Sequence, residues 1–243
     1  MKNLIPSESL LNRKLILEIR FNPNPQIVDN RGKMLAELLK SKIINNAHWQ
    51  MGDGTISMTD AVDPNIFTKR CYIDTQIFSL ISQINHTNES FYNDINTLYN
   101  IVTQVTDIDI VRIGCRIQGT YSTVLKSYEK ILDGFLNLFP SQFILEDFEK
   151  KDLNFLLVYR NGQYSIGPIA ENDNWTKQQF PNEEIRNNKM GFAIDTDNYI
   201  LKVKPNNLNK INFVKDVFLT SLSVEKSLFE KLNKILVSGQ KKE

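Results

Sequence analysis

Four charged residues are placed in the sequence so that they could meet on one face of a β-sheet. Arg20 and Arg116 occupy corresponding positions in two strand-like segments, and Asp74 and Asp195 lie in two others. Side chains alternate between the two faces of a strand, so all four are expected to point away from the apolar face. Guanidinium and carboxylate groups on a shared face could hold a carboxylate or phosphate ligand. The alternative is that they form cross-strand ion pairs that fix the register of the sheet.

The residue types most often used in catalysis form no recognisable motif. His48 lies in a strand-like run beside Trp49, and His86 lies in a polar run at a predicted helix start. Neither has a serine, cysteine or acid at a motif spacing, and the sequence has no nucleophile elbow, phosphate-binding glycine loop or HExxH motif. Cys71 and Cys115 show no CxxC or Cys/His spacing. The sequence therefore predicts no catalytic residues, no metal site and no cofactor.

A polar segment at residues 171–188, called the insertion below, is the strongest candidate for a binding surface. It has no counterpart in the first half of the chain, so the scaffold does not need it. Long loops often carry binding function. Trp175 and Phe180 stand among polar neighbours such as Glu183 and Glu184, as the aromatic anchors of protein interfaces do. The alternative is a surface loop that is fixed by Trp175 packing back on the core.

The composition is that of a folded globular protein and argues against several classes. Of the 243 residues, 41% are hydrophobic and 23% are charged, which is too apolar for a disordered chain. The formal net charge of +1 lacks the basic excess that neutralises phosphates, so a nucleic-acid partner is not expected. No apolar run is long enough to cross a bilayer, and no signal peptide is recognisable. With two cysteines interpreted as buried thiols, these features predict a cytoplasmic protein.

The order of the predicted elements repeats, which indicates an internal duplication. Leu15–Phe21 matches Val111–Ile117 in its alternation and in the position of its arginine. An Asp-Gly turn in the first half is matched by Asn-Gly in the second, and an Ile-Asp-Thr sequence before a helix occurs twice. These landmarks in the same order predict two copies of one α+β unit, residues 1–106 and 107–243.

Each predicted unit reads strand, helix, hairpin, strand and helix. The first unit has a strand at 13–21, a helix capped by Asp29, a hairpin at 48–58, a strand at 69–79 and a helix after Thr87 or Asn88. The second has a strand at 109–118, a helix ended by Pro140, a hairpin at 153–168, a strand at 189–200 and helices at 207–219 and 222–237. A sheet with one apolar face needs helices to cover it. The prediction is an α+β fold with a mainly antiparallel sheet, built from two βαβββα units and an extra C-terminal helix. This order is similar to that of helix-grip modules, in which a curved sheet wraps a helix.

Four segments resemble the pattern of a known family. They are an early LEIRF strand (Leu17–Phe21), a central RIGxR strand (Arg112–Arg116), an IDxD strand (Ile194–Asp197) and a closing amphipathic helix. In these features and in length the chain is similar to a sporadically distributed family of uncharacterised prokaryotic proteins. Members tend to continue the central strand with tyrosine and asparagine, where this chain has Ile117 and Gln118. The resemblance implies no reaction, cofactor or catalytic residue. The patchy distribution implies an accessory locus, such as anti-phage defence or toxin–antitoxin.

Three functional hypotheses follow, and a fourth, a nucleic-acid role on a concave paired sheet, is weaker because the charge balance opposes it. The leading one is a non-enzymatic component that binds a protein partner or itself through the sheet face or the insertion. The second is a sensor that holds a small molecule between helix and curved sheet. Aromatic residues that could line such a cavity are Tyr72, Phe78, Tyr128, Phe135 and Tyr164. The third is an enzyme of unrecognised type that uses aspartates or a histidine.

Overall fold

The computed structural model describes residues 5–63, 65–83, 87–138, 153–159, 161–201 and 210–238. His86 lies outside the described residues. The strands are β1 (Leu10–Phe21), β2 (His48–Met51), β3 (Ile56–Thr59), β4 (Lys69–Ile73), β5 (Ile77–Gln83), β6 (Ile110–Tyr121), β7 (Phe155–Tyr159), β8 (Gly162–Ile169) and β9 (Gly191–Leu201). The helices are α1 (Gln26–Ser41), α2 (Asn88–Val105), α3 (Tyr128–Leu136), α4 (Asn174–Gln179) and α5 (Lys210–Ser238).

The nine described strands form an antiparallel sheet in the order β2-β3-β4-β5-β1-β6-β9-β8-β7. With the helices this is an α+β architecture, which confirms the predicted α+β class and the mainly antiparallel sheet. The chain divides into two compact units. The first contains Lys14–Arg116 and Asp197–Ser221. The second contains Ile117–Thr196, the segment that ends at Arg13 and the segment that begins at Leu222.

Helix α1 of the first unit buries one apolar stripe, and it begins earlier than predicted. Its buried residues are Ile27, Met34, Leu35 and Leu38. Leu39, the next apolar residue along the helix, is 43% exposed. The predicted cap, Asp29, lies inside the helix, which begins at Gln26. The start is set upstream because the Asn24 side chain accepts a hydrogen bond from the Gln26 N–H at 2.9 Å, and Pro25 has a φ of −66° that suits a helix start.

The single strand predicted over residues 69–79 is wrong, because this segment forms two strands joined by a tight turn. Strand β4 ends at Ile73 and β5 begins at Ile77. Asp74 Oδ1 accepts hydrogen bonds from the backbone N–H groups of Gln76 and Ile77 at 2.7 and 2.9 Å. An aspartate that binds the backbone ahead of it stabilises a turn. Apolar residues continue on both sides, so alternation alone does not reveal the break.

Helix α2 covers the sheet of the first unit with one apolar face. The Thr87 hydroxyl accepts a hydrogen bond from the Ser90 N–H at 3.1 Å and caps the helix, as predicted. Its apolar stripe is fully buried and consists of Phe91, Ile95, Leu98 and Val102. Phe91 also packs against Phe218 of α5, with ring centroids 5.6 Å apart. The helix is therefore held by aromatic and aliphatic contacts on one face.

The second unit has a core centred on three aromatic rings. Tyr121 lies 5.5 Å from Phe192 and 5.4 Å from Phe229, measured between ring centroids. The other buried residues of this cluster are Ile5, Leu125, Ile131, Phe135, Ile166, Ile194, Leu232 and Leu236. A Cβ at Gly191 would lie 1.9 Å from the Tyr121 carbonyl oxygen, so glycine is needed there for close backbone approach.

The two C-terminal helices predicted at 207–219 and 222–237 are a single helix, α5, of 29 residues. The intervening residues contain no proline or glycine. Instead, the Ser221 hydroxyl donates to the Val217 carbonyl at 2.9 Å, which satisfies this polar side chain within the helix. The predicted break between two helices therefore lay at a residue that is a weak helix former but does not end the helix.

A buried ion pair lies in the core of the second unit. The Arg13 guanidinium donates to both carboxylate oxygens of Glu225, with Nε···Oε1 2.8 Å and Nη2···Oε2 2.6 Å. The Tyr121 hydroxyl donates to Oε1 at 2.7 Å. The side chains of Arg13 and Glu225 are only 9% and 2% exposed. Burial raises the pKa of Tyr121 well above its usual value, so the phenol stays protonated as the donor.

Candidate functional site

The insertion folds around helix α4. Asp173 caps this helix, because its Oδ1 accepts hydrogen bonds from the N–H groups of Trp175 and Thr176 at 2.7 and 3.2 Å. The preceding Asn172 has a left-handed φ of 57°, a conformation that asparagine tolerates. Its N–H donates to the Asn188 carbonyl at 3.0 Å. This bond joins the two ends of the insertion.

A small core holds the insertion together. Phe180 is 1% exposed, and the Trp175 ring packs edge-on against it, with centroids 6.3 Å apart. The Arg186 guanidinium donates to the Phe180 carbonyl at 3.2 Å and to Asn188 Oδ1 at 2.9 Å. Phe180, predicted as a partner contact, therefore lies inside the insertion. Trp175 remains partly exposed.

The two predicted glutamates lie on the exposed side of the insertion. Glu183 Oε1 accepts from Arg186 at 3.3 Å, but its side chain is 85% exposed. The Glu184 N–H donates to Asn182 Oδ1 at 3.1 Å, which forms a turn. An exposed pair such as Glu183–Arg186 contributes little to stability, so both glutamates remain accessible to a partner.

Asn12 of β1 anchors the end of the insertion. Its Nδ2 donates to the Asn187 carbonyl at 2.7 Å, and its Oδ1 accepts from the Asn187 N–H at 2.7 Å. Nδ2 also donates to Thr120 Oγ1 of β6 at 2.7 Å. Asn12 is fully buried, and this reciprocal pair fixes the insertion against the sheet of the second unit.

A cleft lies on the face of the second unit's sheet that is opposite to the core. Phe155 pairs with Ile166, and Ile166 belongs to the core cluster. Side chains alternate along a strand, so Ser165 and Gly167 point to the other face. The insertion covers this outer face, and a cleft of about 100 Å³ remains between them. Its lining residues are Leu153, Asn154, Ser165, Gly167, Pro168, Ile169, Asp173, Trp175, Ala193 and Asp195.

Both ionisable residues that line this cleft are aspartates. Asp195 of β9 is 8% exposed, and its Oδ2 accepts a hydrogen bond from Gln118 Nε2 at 2.9 Å. Asp173 uses Oδ1 to cap α4, as described above. The Trp175 ring adds an aromatic wall. Carboxylates beside an aromatic ring favour a cationic hydrogen-bond donor.

The structure does not bring the four predicted residues of the charged array together in one unit. Asp195 is in the second unit, whereas Arg20, Asp74 and Arg116 are in the first. Asp74 lies in the β4–β5 turn, where its Oδ2 accepts from the Tyr72 hydroxyl at 3.2 Å. Arg20 and Arg116 are exposed on β1 and β6.

An ion-pair network does form on the outer face of the first unit, but mostly from other residues. Glu18 Oε1 accepts from Arg20 at 2.6 Å and from Arg112 at 2.9 Å. Arg112 also pairs with Asp197 at 3.1 Å and lies 5.0 Å from the centroid of the Tyr199 ring. Glu18 and Arg20 are two residues apart on β1, so their side chains share one face of the sheet. The order β1-β6-β9, which supplies Arg112 and Asp197, has no local signal.

Two aromatic residues proposed to line a sensor cavity lie on opposite sheet faces. Phe78 is fully buried in the core and packs against Phe21, with ring centroids 6.1 Å apart. Tyr72 pairs with Ser79, the residue after Phe78. Because alternate residues face opposite ways, Tyr72 and Phe78 do not line one cavity.

Both cysteines are free and buried, as predicted. Burial raises the pKa of the Cys71 thiol from 9.0 to about 12, despite the opposing charge of Lys69. Thiolates are the reactive form of cysteine. Cys71 is therefore an inert core residue rather than a nucleophile.

Within the part of the chain that the structure describes, no cluster of three or more His, Cys, Asp or Glu residues could hold a metal ion. No helix among the described residues is long and apolar enough to cross a membrane. Neither known protein-family models nor curated proteins match the chain. The resemblance to a sporadically distributed family stays a prediction.

Proposed function

We propose that this protein is a non-enzymatic interaction component, and that the cleft beneath its insertion encloses a lysine or arginine side chain of a partner protein. The proposal rests on one observation: the carboxylates of Asp173 and Asp195 line the same cleft as Trp175. A cationic side chain placed there gains charge-assisted hydrogen bonds and a cation–π contact.

The size of the cleft favours a single side chain over a metabolite. Its volume of about 100 Å³ is below the roughly 300–1,000 Å³ of typical small-molecule sites. A long, flexible basic side chain can enter a narrow opening and keep its charged end at the carboxylates. This supports a protein partner over the small-molecule sensor.

An apolar strip beside the cleft supplies the rest of a contact surface. Leu156 pairs with Ser165 and Val158 pairs with Gln163, so both lie on the same outer face as the cleft. They are 59% and 72% exposed. Exposed apolar side chains next to a polar pocket are typical of protein interaction sites.

The two tryptophans of the chain allow a direct test without a known partner. Trp175 lies in the cleft, and Trp49 lies in β2 of the first unit. Titration with Nα-acetyl-lysine-N-methylamide is followed through the indole N–H signals in ¹H–¹⁵N spectra. We expect the Trp175 signal to shift with a Kd of about 1 mM, from ~0.3 kcal/mol per atom for a probe of this size. Trp49 is the internal control, and the norleucine analogue is the uncharged control.

The variant Asp173→Asn tests the contribution of the carboxylate charge without removing the cap of α4. Asparagine is as good a cap as aspartate, so α4 is retained while one carboxylate charge is removed. We expect Kd to rise about fivefold or more, with protein stability unchanged within about 0.5 kcal/mol. Asp195→Asn, which keeps an acceptor for Gln118, is expected to act similarly. Equal shifts from the norleucine analogue, or an unchanged Kd in both variants, would contradict the proposal.

We also propose that the fold arose by duplication of a helix-grip-like βαβββα unit. In support, the strand order places β5 beside β1 and β9 beside β6, so the first strand of each predicted copy neighbours its last. Superposition of β1–α2 on β6–α5 would test this.

The buried free thiols support a reducing compartment such as the cytoplasm. The family resemblance supports an accessory locus. Self-association through the same surface is the alternative to a separate protein partner.

A further inference from the structure

We propose a second binding site, on the first unit, for a small oxyanion: the phosphate or carboxylate group of a small molecule. The site is a groove of about 390 Å³ beside strands β2 and β3, extended by Arg70 of β4. It is independent of the cleft in the second unit, and nothing in the proposed function requires it.

Arg70 is held in place by two aromatic rings. Its guanidinium carbon lies 5.9 Å from the ring centroids of both Phe67 and Tyr72, within cation–π range. Its Nε is buried without a hydrogen-bond acceptor. Arg70 forms no ion pair with any residue that the structure describes. A guanidinium fixed by two rings retains its planar donor edge for an external oxyanion.

The nearby carboxylates are already engaged by the protein. Asp60 accepts hydrogen bonds from the N–H groups of Thr68 and Lys69, at 2.9 and 3.0 Å, and from the Thr68 hydroxyl. Asp74 accepts from the Tyr72 hydroxyl and from two backbone N–H groups. These acids are fixed by local turns, and neither forms a direct ion pair with Arg70.

The register of the sheet continues the site from Arg70 into the groove. Arg70 pairs with Thr59, and Thr59 pairs with His48, so the three side chains lie in one row across three strands. Gln50 and Ser57 form the parallel row on the same face. His48, Gln50 and Ser57 line the groove, and among the described residues they form no side-chain hydrogen bond.

The chemistry of the groove selects an oxyanion. The lining residues are Ala47, His48, Trp49, Gln50, Ser57, Thr59 and Val62, none of which is acidic. Hydroxyl, amide and ring N–H donors next to a guanidinium match the acceptor oxygens of phosphate or carboxylate. The volume lies within the range of small-molecule sites.

The test is a titration of the full chain with inorganic phosphate and with acetate, against sodium chloride at matched ionic strength. The backbone signals of β2 and β3 report on the groove, and the indole signal of Trp175 is the internal control. We expect shifts in the groove that saturate. Saturation with phosphate alone assigns a phosphate ligand, and saturation with acetate also assigns the shared oxyanion chemistry. Shifts no larger than those with chloride would overturn the proposal.

Matched variants locate the effect. Arg70→Lys keeps the charge but loses the planar fork, and we expect Kd to rise about tenfold. Ser57→Ala removes one groove donor without touching Arg70, and we expect a rise of about threefold to tenfold. Arg20→Gln is the control, because that arginine lies on the same face but is already paired with Glu18. Loss of binding in the Arg20 variant, or unchanged binding in both groove variants, would overturn the site. Because the lysine titration reads Trp175, either proposal can fail while the other stands.

Discussion

Replacing Glu225 with alanine is expected to destabilise the protein by about 3–5 kcal/mol, because it leaves the Arg13 charge in the core without its partner. Glu225 is 2% exposed and accepts two hydrogen bonds from Arg13 and one from Tyr121. Water cannot replace these bonds without opening the core. Since proteins have total stabilities of about 5–15 kcal/mol, this variant should lose a large fraction of its stability.

Apolar replacement of the whole cluster gives the matched control. Tyr121→Phe alone removes one hydrogen bond to a charged group and is expected to cost about 1.5–3 kcal/mol. The triple variant Arg13→Met, Tyr121→Phe, Glu225→Leu removes all three polar partners together. We expect its stability to lie within about 2 kcal/mol of the natural protein, because desolvation of the ions is also removed.

Urea unfolding followed by far-ultraviolet circular dichroism measures these differences, provided that the slopes agree between variants. The reasoning would be refuted if Glu225→Ala cost less than about 1 kcal/mol, which would mean that the pair is hydrated. It would also be refuted if the triple variant lost as much as the sum of its single changes.

Three further predictions rest on separate features. Cys71→Ala should reduce the fall in unfolding free energy as the pH rises above 9. Between pH 9 and about 12, the Cys71 thiol releases its proton in the unfolded chain but retains it in the folded protein. The natural protein therefore loses about 1.4 kcal/mol of unfolding free energy per pH unit from this group, as measured by urea unfolding at pH 9, 10 and 11. Asp173→Ala should cost about 0.5–2 kcal/mol through loss of the cap, whereas Asp173→Asn should not; hydrogen exchange of the two capped amides distinguishes them. Gly191→Ala places a Cβ 1.9 Å from a backbone carbonyl and should cost more than about 3 kcal/mol. Gly114→Ala meets only the end of a flexible arginine at 3.1 Å and should cost less than about 1 kcal/mol, measured by thermal unfolding.

The fold class and most elements could be predicted because their signals are local. The stripe of α2 and the cap at Thr87 depend on residues within a few turns. Boundaries were missed where side chains act on the backbone. Asn24 moves the start of α1, and Asp74 divides one predicted strand into two. Such hydrogen bonds compete with simple periodicity.

The candidate site could be predicted only in part. The polar character of the insertion marked it as a surface feature, and Trp175 and Asp195 were both selected from the sequence. Their meeting in one cleft depends on α4 folding over β8 and β9, which no local pattern encodes. Phe180 has the same aromatic signal as Trp175, yet it fills the core of the insertion. Burial of a single side chain is decided by tertiary packing, which sequence spacing does not specify.

The central claim is that the cleft recognises basic side chains of a protein partner, and selection from a random displayed-peptide library tests it most directly. We predict that peptides selected by the natural protein are enriched in lysine or arginine at one fixed position. This enrichment should be lost with the Asp173→Asn, Asp195→Asn double variant, whose fold is verified by circular dichroism. Selected peptides without a basic position, or equal enrichment by the double variant, would contradict the claim.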